Sequence, residues 1–378
     1  MATLTSPLPL AKRIVIKIGS SLLVNQENGE LKGDWLKALV SDIARLRSRG
    51  QEVVIVSSGA IALGRRVLNF KPAILKLEED QAAASVGQVH LAHAFREALG
   101  REKIIAAQIL VTLSDTEERR RYLNARNTIA TLLRLGAVPV INENDTVATS
   151  EIRVGDNDRL AARVASMISA DCLILLSNVA GLYTGSPDSE EAEIVSKISQ
   201  ITPQIEAMVS GNISAMGKGG MATKLAAARI AMGSGIHMAV ADGRAENPLQ
   251  AIEQGSICTW FVPSATPVAA RKKWIAATLE PRGRMIIDAG AAGALNSGKS
   301  LLPAGIVSVE GKFDRGDAVS VISPDSVELA RGLSAYDDSD ARAIIGHKSS
   351  DIEAILGYRG RTEMIHRDDL VLMEGQVT

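Results

Sequence analysis

The sequence predicts an α/β protein: a mainly parallel open sheet sandwiched by helices, followed by a small β-rich module. Three observations carry this. Short apolar runs alternate with helix-length segments through the first 260 or so residues, the pattern of strand–helix–strand units. Aromatic residues make up only 3% of the chain while Ala, Gly, Val, Ile and Leu abound, which suits buried parallel strands and closely packed helices. Beyond Arg284 the texture changes to short apolar runs punctuated by glycine. A length of 378 residues exceeds the usual ~100–200 per domain. Residues 10–263 are expected to form the α/β domain, 264–281 a linker and 282–378 the β-rich module.

In chain order, Ile14–Ile18, Val53–Val56, Ile104–Ile109, Val138–Ile141 and Leu173–Leu176 read as buried strands. Trp35–Arg49, Gln81–Leu99 and Tyr122–Leu135 read as helices between them. Pro263, Pro267 and Pro281, with the basic stretch Arg271–Trp274, mark the linker or a docking segment. In open parallel sheets ligands collect at the carboxyl ends of the strands, so the loops there are where chemistry is expected.

Composition excludes several classes. With 42 basic and 43 acidic residues the net charge is −1, so no global field draws the chain to nucleic acid or membrane. Cys172 and Cys258 lie far apart in apolar runs and read as core residues of a reducing compartment. The N-terminal residues show no signal-peptide pattern, and no run reaches the ~18 apolar residues of a membrane span. A cytoplasmic protein without membrane contact is expected.

Four segments bear on chemistry. Lys17 closes the first strand and is followed by Ile18 and Gly19; a lysine there is costly unless an anion meets it, or it snorkels to water. Ser57-Ser58-Gly59-Ala60 is a small strand-to-helix turn suited to phosphate. Gly217–Lys224 places three glycines and two lysines before a helical stretch, either a phosphate cradle or a surface loop. The stretch 142–158 gathers Asn142, Glu143, Asn144, Asp145, Asp156, Asn157 and Asp158 after a strand. Its carboxylates and amides suit a small zwitterion; it lacks the spacing of a calcium loop, and a solvated acidic loop is the plain alternative.

Taken in order, KIGSS, VVIVSSGAIALG, NENDTVATSEIRVGDND, AGLYTGSP and GKGGMATK resemble the glutamate 5-kinase (γ-glutamyl kinase) family of the amino acid kinase superfamily. The resemblance runs on through IHRDD, where longer members carry a PUA domain. It implies ATP-dependent phosphorylation of the γ-carboxylate of L-glutamate to L-glutamyl 5-phosphate, the first step of proline biosynthesis, with ATP and Mg²⁺. It implies that Lys17, Lys224 and Asp158 are catalytic, Asp158 holding the two lysines in register. Gly19 and Gly59 would offer N–H groups near the γ-phosphate. Ser177, Asn178, Lys218, Gly219, Gly220, Met221, Ala222, Thr223 and Lys224 would lie along the nucleotide. Ser58, Asp145 and Asn157 would bind glutamate, with Asn142 nearby. Ser177-Asn178 replaces the family's usual Thr-Asp, which removes a carboxylate from the nucleotide contact. Feedback inhibition by proline, a dimer or tetramer, and hand-over to glutamyl phosphate reductase are implied in the same way.

The proposed nucleophile has a reference pKa near ~4.3 and is already ionised at neutral pH, so no general base is required. The chain has five histidines, none beside these motifs. Rival signals fall short. Gly293–Ser300 matches the P-loop pattern G-x-x-x-x-G-K-[ST], but the proline and glycine after it oppose the helix a P-loop needs. His90 and His93 share a helix face without a third metal ligand in the pattern. In the C-terminal module Arg359, Arg361, His366 and Arg367 form a modest basic cluster diluted by Asp368 and Asp369, which favours a structural or regulatory role over RNA binding. Within kinases the alternative is another small acid, such as acetylglutamate, aspartate or carbamate.

Overall fold

The computed structural model describes residues 6–70, 75–147, 156–185, 189, 191–210, 220–278 and 280–373. It divides into two units, Met1–Pro267 and Val268–Thr378. Among the described residues no helix is long and apolar enough to cross a membrane.

The strands of the first unit are β1 (Arg13–Ile18), β2 (Glu52–Val56), β3 (Ala106–Val111), β4 (Val138–Glu143), β5 (Cys172–Ser177), β6 (Lys197–Ile198), β7 (His237–Asp242) and β8 (Cys258–Phe261). Its helices are α1 (Ser20–Leu23), α2 (Gly33–Ser48), α3 (Ala60–Val67), α4 (Leu77–Arg101), α5 (Arg119–Arg134), α6 (Asp156–Met167), α7 (Pro203–Ser210), α8 (Gly220–Gly233) and α9 (Pro248–Glu253). The sheet order is β3-β4-β2-β1-β5-β7-β8-β6. Every neighbouring pair is parallel except β7 with β8. From β1 the chain lays β2 beside it, passes to the edge strand β3, returns to fill the gap with β4, and then crosses to β5 on the other side of β1. That reversal makes the carboxyl ends of β1 and β5 the switch point at which such sheets bind ligands.

Strand β1 shows how the face is chosen. Ile14, Ile16 and Ile18 pack into one core cluster with Leu36, Leu39 and Phe95 of α2 and α4. Val15 packs into the other, with Leu160, Ala161, Leu225 and Ala228 of α6 and α8. Side chains alternate along a strand, so Lys17 shares the face of Val15 and is directed toward α6 and α8.

The strand expected at 104–109 lies instead at Ala106–Val111 and is only partly buried: β3 is a sheet edge, Leu110 is exposed and only Val111 is buried. Its apolar run reads as a core strand because edge position leaves no trace in local pattern.

Two glycines set the position of the helix that follows β2. A Cβ on Gly64 of α3 would lie 1.8 Å from the Ala83 carbonyl oxygen, and one on Gly87 of α4 would lie 1.7 Å from that of Ala60. The two helices therefore touch backbone to backbone.

In the second unit, α10 (Pro267–Thr278) occupies the stretch expected as a linker. Pro267 is the first helical residue, where a missing N–H does no harm; a proline read as a breaker here opens the helix. Ile275 packs with Ala318 and Leu333, and Arg271 pairs with the buried Asp369 at 2.6 Å. Strands β9 (Gly283–Ile287), β10 (Ile306–Gly311), β11 (Ala318–Ile322), β12 (Glu328–Leu333) and β13 (Leu370–Leu372) form one sheet, ordered β10-β9-β11-β12-β13. Helix α11 (Ala289–Asn296) precedes Gly298-Lys299-Ser300 rather than following it, so the P-loop pattern has the wrong context. The helix of this pattern ends where a P-loop's begins.

The glycine contact gives a direct test. Gly64→Ala or Gly87→Ala forces α3 and α4 apart and is expected to cost about 1–3 kcal/mol, the usual range for overpacking. Gly100→Ala, with open space around the added methyl, is expected to be neutral or slightly stabilising. Urea denaturation of the three variants checks this.

Candidate active site

At this switch point, Lys17 is the penultimate residue of β1, and its Nζ lies 2.6 Å from Asp158 Oδ1. Lys224 Nζ lies 3.1 Å from Asp158 Oδ2 and also donates to the Gly220 carbonyl at 3.2 Å. The Thr223 hydroxyl donates to the same Oδ2 at 3.0 Å. Exposure is 7% for Lys17, 1% for Asp158 and 8% for Lys224. One buried carboxylate thus holds two ammonium groups, and the trio carries an excess positive charge.

The helices supply this geometry through small residues. Ala161, Ala162 and Ala165 of α6 and Ala227, Ala228 and Ala231 of α8 are all fully buried, and without longer side chains between them the two helices pack closely. Asp158 sits in the first turn of α6 and Lys224 in the first turn and a half of α8.

The electrostatics follow from burial. Burial pulls the Lys17 ammonium below the ordinary lysine value, and the like charge of Lys224 adds to this, while Asp158 offsets part of it. For Asp158, burial pushes the carboxyl upward, but Lys17 and Lys224 outweigh it and hold the group below its ordinary value.

A second cluster adjoins the first. Asn157, next to Asp158, donates from Nδ2 to the Ser57 carbonyl at 2.9 Å, to Ser58 Oγ at 2.9 Å and to Asn142 Oδ1 at 3.1 Å. Asn142 lies in β4, is buried, and donates from Nδ2 to Gln88 Oε1 of α4 at 2.7 Å. Asp145 opens a 3₁₀ turn just beyond β4. The Ser57 N–H donates to the Ile141 carbonyl at 2.8 Å, which fixes the turn after β2. Gly59 caps α3 with φ of 104°, a left-handed conformation that favours glycine, and the first N–H groups of α3 face outward as a helix start requires.

The structure thus brings together Lys17, Asp158, Thr223 and Lys224 in one group and Ser58, Asn142 and Asn157 in another, joined by consecutive residues of α6. Ser177 is buried at the end of β5, with Asn178 exposed beside it. Gly220, Met221 and Ala222 open α8. Lys218 and Gly219 lie outside the described residues, as do residues 148–155 of the acidic-amide stretch. One expectation is corrected. The Gly19 N–H already donates to the Leu176 carbonyl at 3.3 Å as β1 pairs with β5, so the free donors of that turn lie beyond Gly19, where α1 begins. Gln88 was missed: nothing in a helix-length pattern marks one glutamine as facing a site.

A model of the amino acid kinase family matches residues 12–242, and a PUA domain model matches 283–356. Proteins named glutamate 5-kinase are similar over nearly the whole chain. That of Paramagnetospirillum magneticum is 58% identical over 98% of this chain and 100% of its own. Those of Agrobacterium fabrum and Rhizobium etli are 58% and 60% identical, each over 98% of this chain and 96% and 95% of their own.

Replacing Asp158 by Asn leaves two buried ammonium groups without a counter-charge, so a loss of about 3–5 kcal/mol is expected. Because the folded carboxyl is held low, Asp158 contributes stability that is fully present above its unfolded value near ~3.9 and is lost as pH falls through the folded value. Urea denaturation at pH 7 and pH 3 should show a larger fall for the wild type than for Asp158→Asn.

Proposed function

The chain belongs to the glutamate 5-kinase family, and we propose that it transfers the γ-phosphoryl group of ATP to the side-chain carboxylate of L-glutamate. A carboxylate oxygen forms a bond to the γ-phosphorus, the bond from that phosphorus to the β,γ-bridging oxygen breaks, and ADP leaves. The product is L-glutamyl 5-phosphate, at the head of proline biosynthesis.

The observation that supports this best is the buried Lys17–Asp158–Lys224 group. Phosphoryl transfer depends on positioning and charge stabilisation rather than on covalent help from the protein. Two ammonium groups at fixed separation suit a terminal phosphate that must meet a second anion. The N–H groups opening α3 after Gly59, and the residues from Gly220 to Lys224, are assigned to the nucleotide, with Ser177 and Asn178 alongside. Ser58, Asn142, Asp145 and Asn157 are assigned to glutamate, Asp145 offering a carboxylate to its ammonium. Both oxygens of Asp158 already face lysines or Thr223, so it is not free to ligate a metal. Mg²⁺ is assigned to the phosphates of ATP, where it would neutralise the charge that develops on transfer.

A carboxylate that is ionised at neutral pH needs no base, and no histidine takes part in either cluster. Free glutamate is favoured over acetylglutamate because an acetylated nitrogen has no use for the Asp145 carboxylate. A cytoplasmic location belongs to this reading. A homo-oligomer, inhibition by proline and delivery of product to glutamyl phosphate reductase belong to the same reading.

ADP formation measured with glutamate, acetylglutamate, aspartate and carbamate should be fastest with glutamate and fall when proline is added. Turnover with another of these acids in place of glutamate would overturn the assignment. Lys224→Ala is expected to lower kcat by roughly a hundredfold or more, the scale of a lost charge-stabilising group. Asp145→Ala should chiefly raise the KM for glutamate.

A further inference from the structure

We infer that Gln88 is a positioning residue for glutamate, holding the amide chain that aims Ser58; this rests on the assignment of Ser58, Asn142 and Asn157 to that substrate. The argument runs through which end of each amide faces which. The Ser57 carbonyl can only accept, so the Asn157 atom 2.9 Å from it is the NH₂. Asn142 then presents its oxygen to that NH₂ at 3.1 Å. Its own NH₂ therefore faces Gln88, which answers with Oε1 at 2.7 Å. The acceptor-only Ser57 carbonyl fixes the Asn157 amide, although its two N–H hydrogens are shared among three acceptors and its own Oδ1 is buried without a partner among the described residues.

The consequence falls on Ser58. Its Oγ accepts from Asn157 at 2.9 Å, which turns the hydroxyl proton away from that amide and toward an incoming carboxylate. Asn142 is 3% exposed, so its NH₂ has little access to water if Gln88 is taken away. An unpaired buried donor is costly, and Asn142 is then expected to leave Asn157 in search of another acceptor.

The reach of Gln88 depends on its neighbour in sequence. Gly87 lets α4 touch the Ala60 carbonyl at the start of α3, where a Cβ would lie 1.7 Å away. That contact brings α4 close enough for one side chain to cross to β4. Helix α4 also passes the Asp145–Val147 turn, so one helix borders both Asn142 and the Asp145 turn.

The test is a double-mutant cycle in the full chain, with steady-state kinetics for both substrates. Gln88→Leu is expected to raise the KM for glutamate about tenfold, the scale of a lost hydrogen bond to a charged group, with the KM for ATP unchanged and the melting temperature lowered by a few degrees, as the unpaired Asn142 donor requires. Gln88→Glu, which keeps an oxygen at the accepting position, should lie nearer the wild type. Adding Gln88→Leu to Asn142→Ala should raise the KM no further, since members of one network are not additive. A glutamate KM within twofold of wild type in Gln88→Leu would overturn the inference. So would multiplicative effects in the double variant, or an equal rise in the KM for ATP. Wild-type protein with no glutamate-dependent ADP formation would overturn the substrate assignment itself, and this inference with it.

Discussion

One carboxylate shared by two lysines is the constraint on which the site depends. Asp158 alone in that position would favour its neutral form, and Lys17 alone would lose its proton readily. Each makes the other's charge tolerable. The balance is incomplete, however, because two positive groups face one negative. An anion beside the lysines would supply the missing charge, which is the electrostatic ground for assigning them to the phosphate.

Such an arrangement demands close approach of three elements, and the sequence obtains it with small side chains. Fully buried alanines line the meeting of α6 and α8. Glycines line the meeting of α3 and α4, where even a methyl group would strike a carbonyl oxygen. The first pair of helices places Asp158 and Lys224. The second places the left-handed turn at Gly59 and the glutamine that supports Asn142. Low aromatic content is therefore more than a compositional habit. Bulky rings between these helices would separate the groups that have to meet.

Much of this was legible in sequence. The alternation of apolar runs exposes the parallel sheet, and the placement of Lys17 at the end of a buried strand marks it as needing an anion. Ordered motifs select the family, and they name the residues that the structure gathers at the ends of β1 and β4 and the starts of α6 and α8. What stayed hidden has physical reasons. β3 reads as buried because periodicity reports the identity of side chains, not whether a further strand lies beyond. The stretch from Pro267 reads as a linker because proline stops helices from within yet starts them well at the first position. Gly19 reads as a phosphate donor because its glycine is visible, while the pairing that engages its N–H with Leu176 depends on a strand more than 150 residues away. Gln88 has no local signal at all: its partner Asn142 becomes a neighbour only after the sheet and α4 have packed.

The division of labour across Asn157 and Asp158 explains how two anions could be held together. Consecutive residues in the first turn of α6 point in different directions, about 100° apart around a helix. One faces the lysines assigned to the phosphate, the other faces the serine and asparagine assigned to the amino acid. A single rigid turn therefore fixes the distance between the two halves of the reaction. Since the attacking carboxylate needs no proton removed, that distance is the principal thing left for the protein to control. On this assignment, repulsion between the reactants would be met on one side by ammonium groups and on the other by the uncharged Ser58 hydroxyl. This asymmetry suits a transfer in which negative charge moves from the glutamate oxygen toward the departing nucleotide, since the fixed positive charges lie on the side where it accumulates.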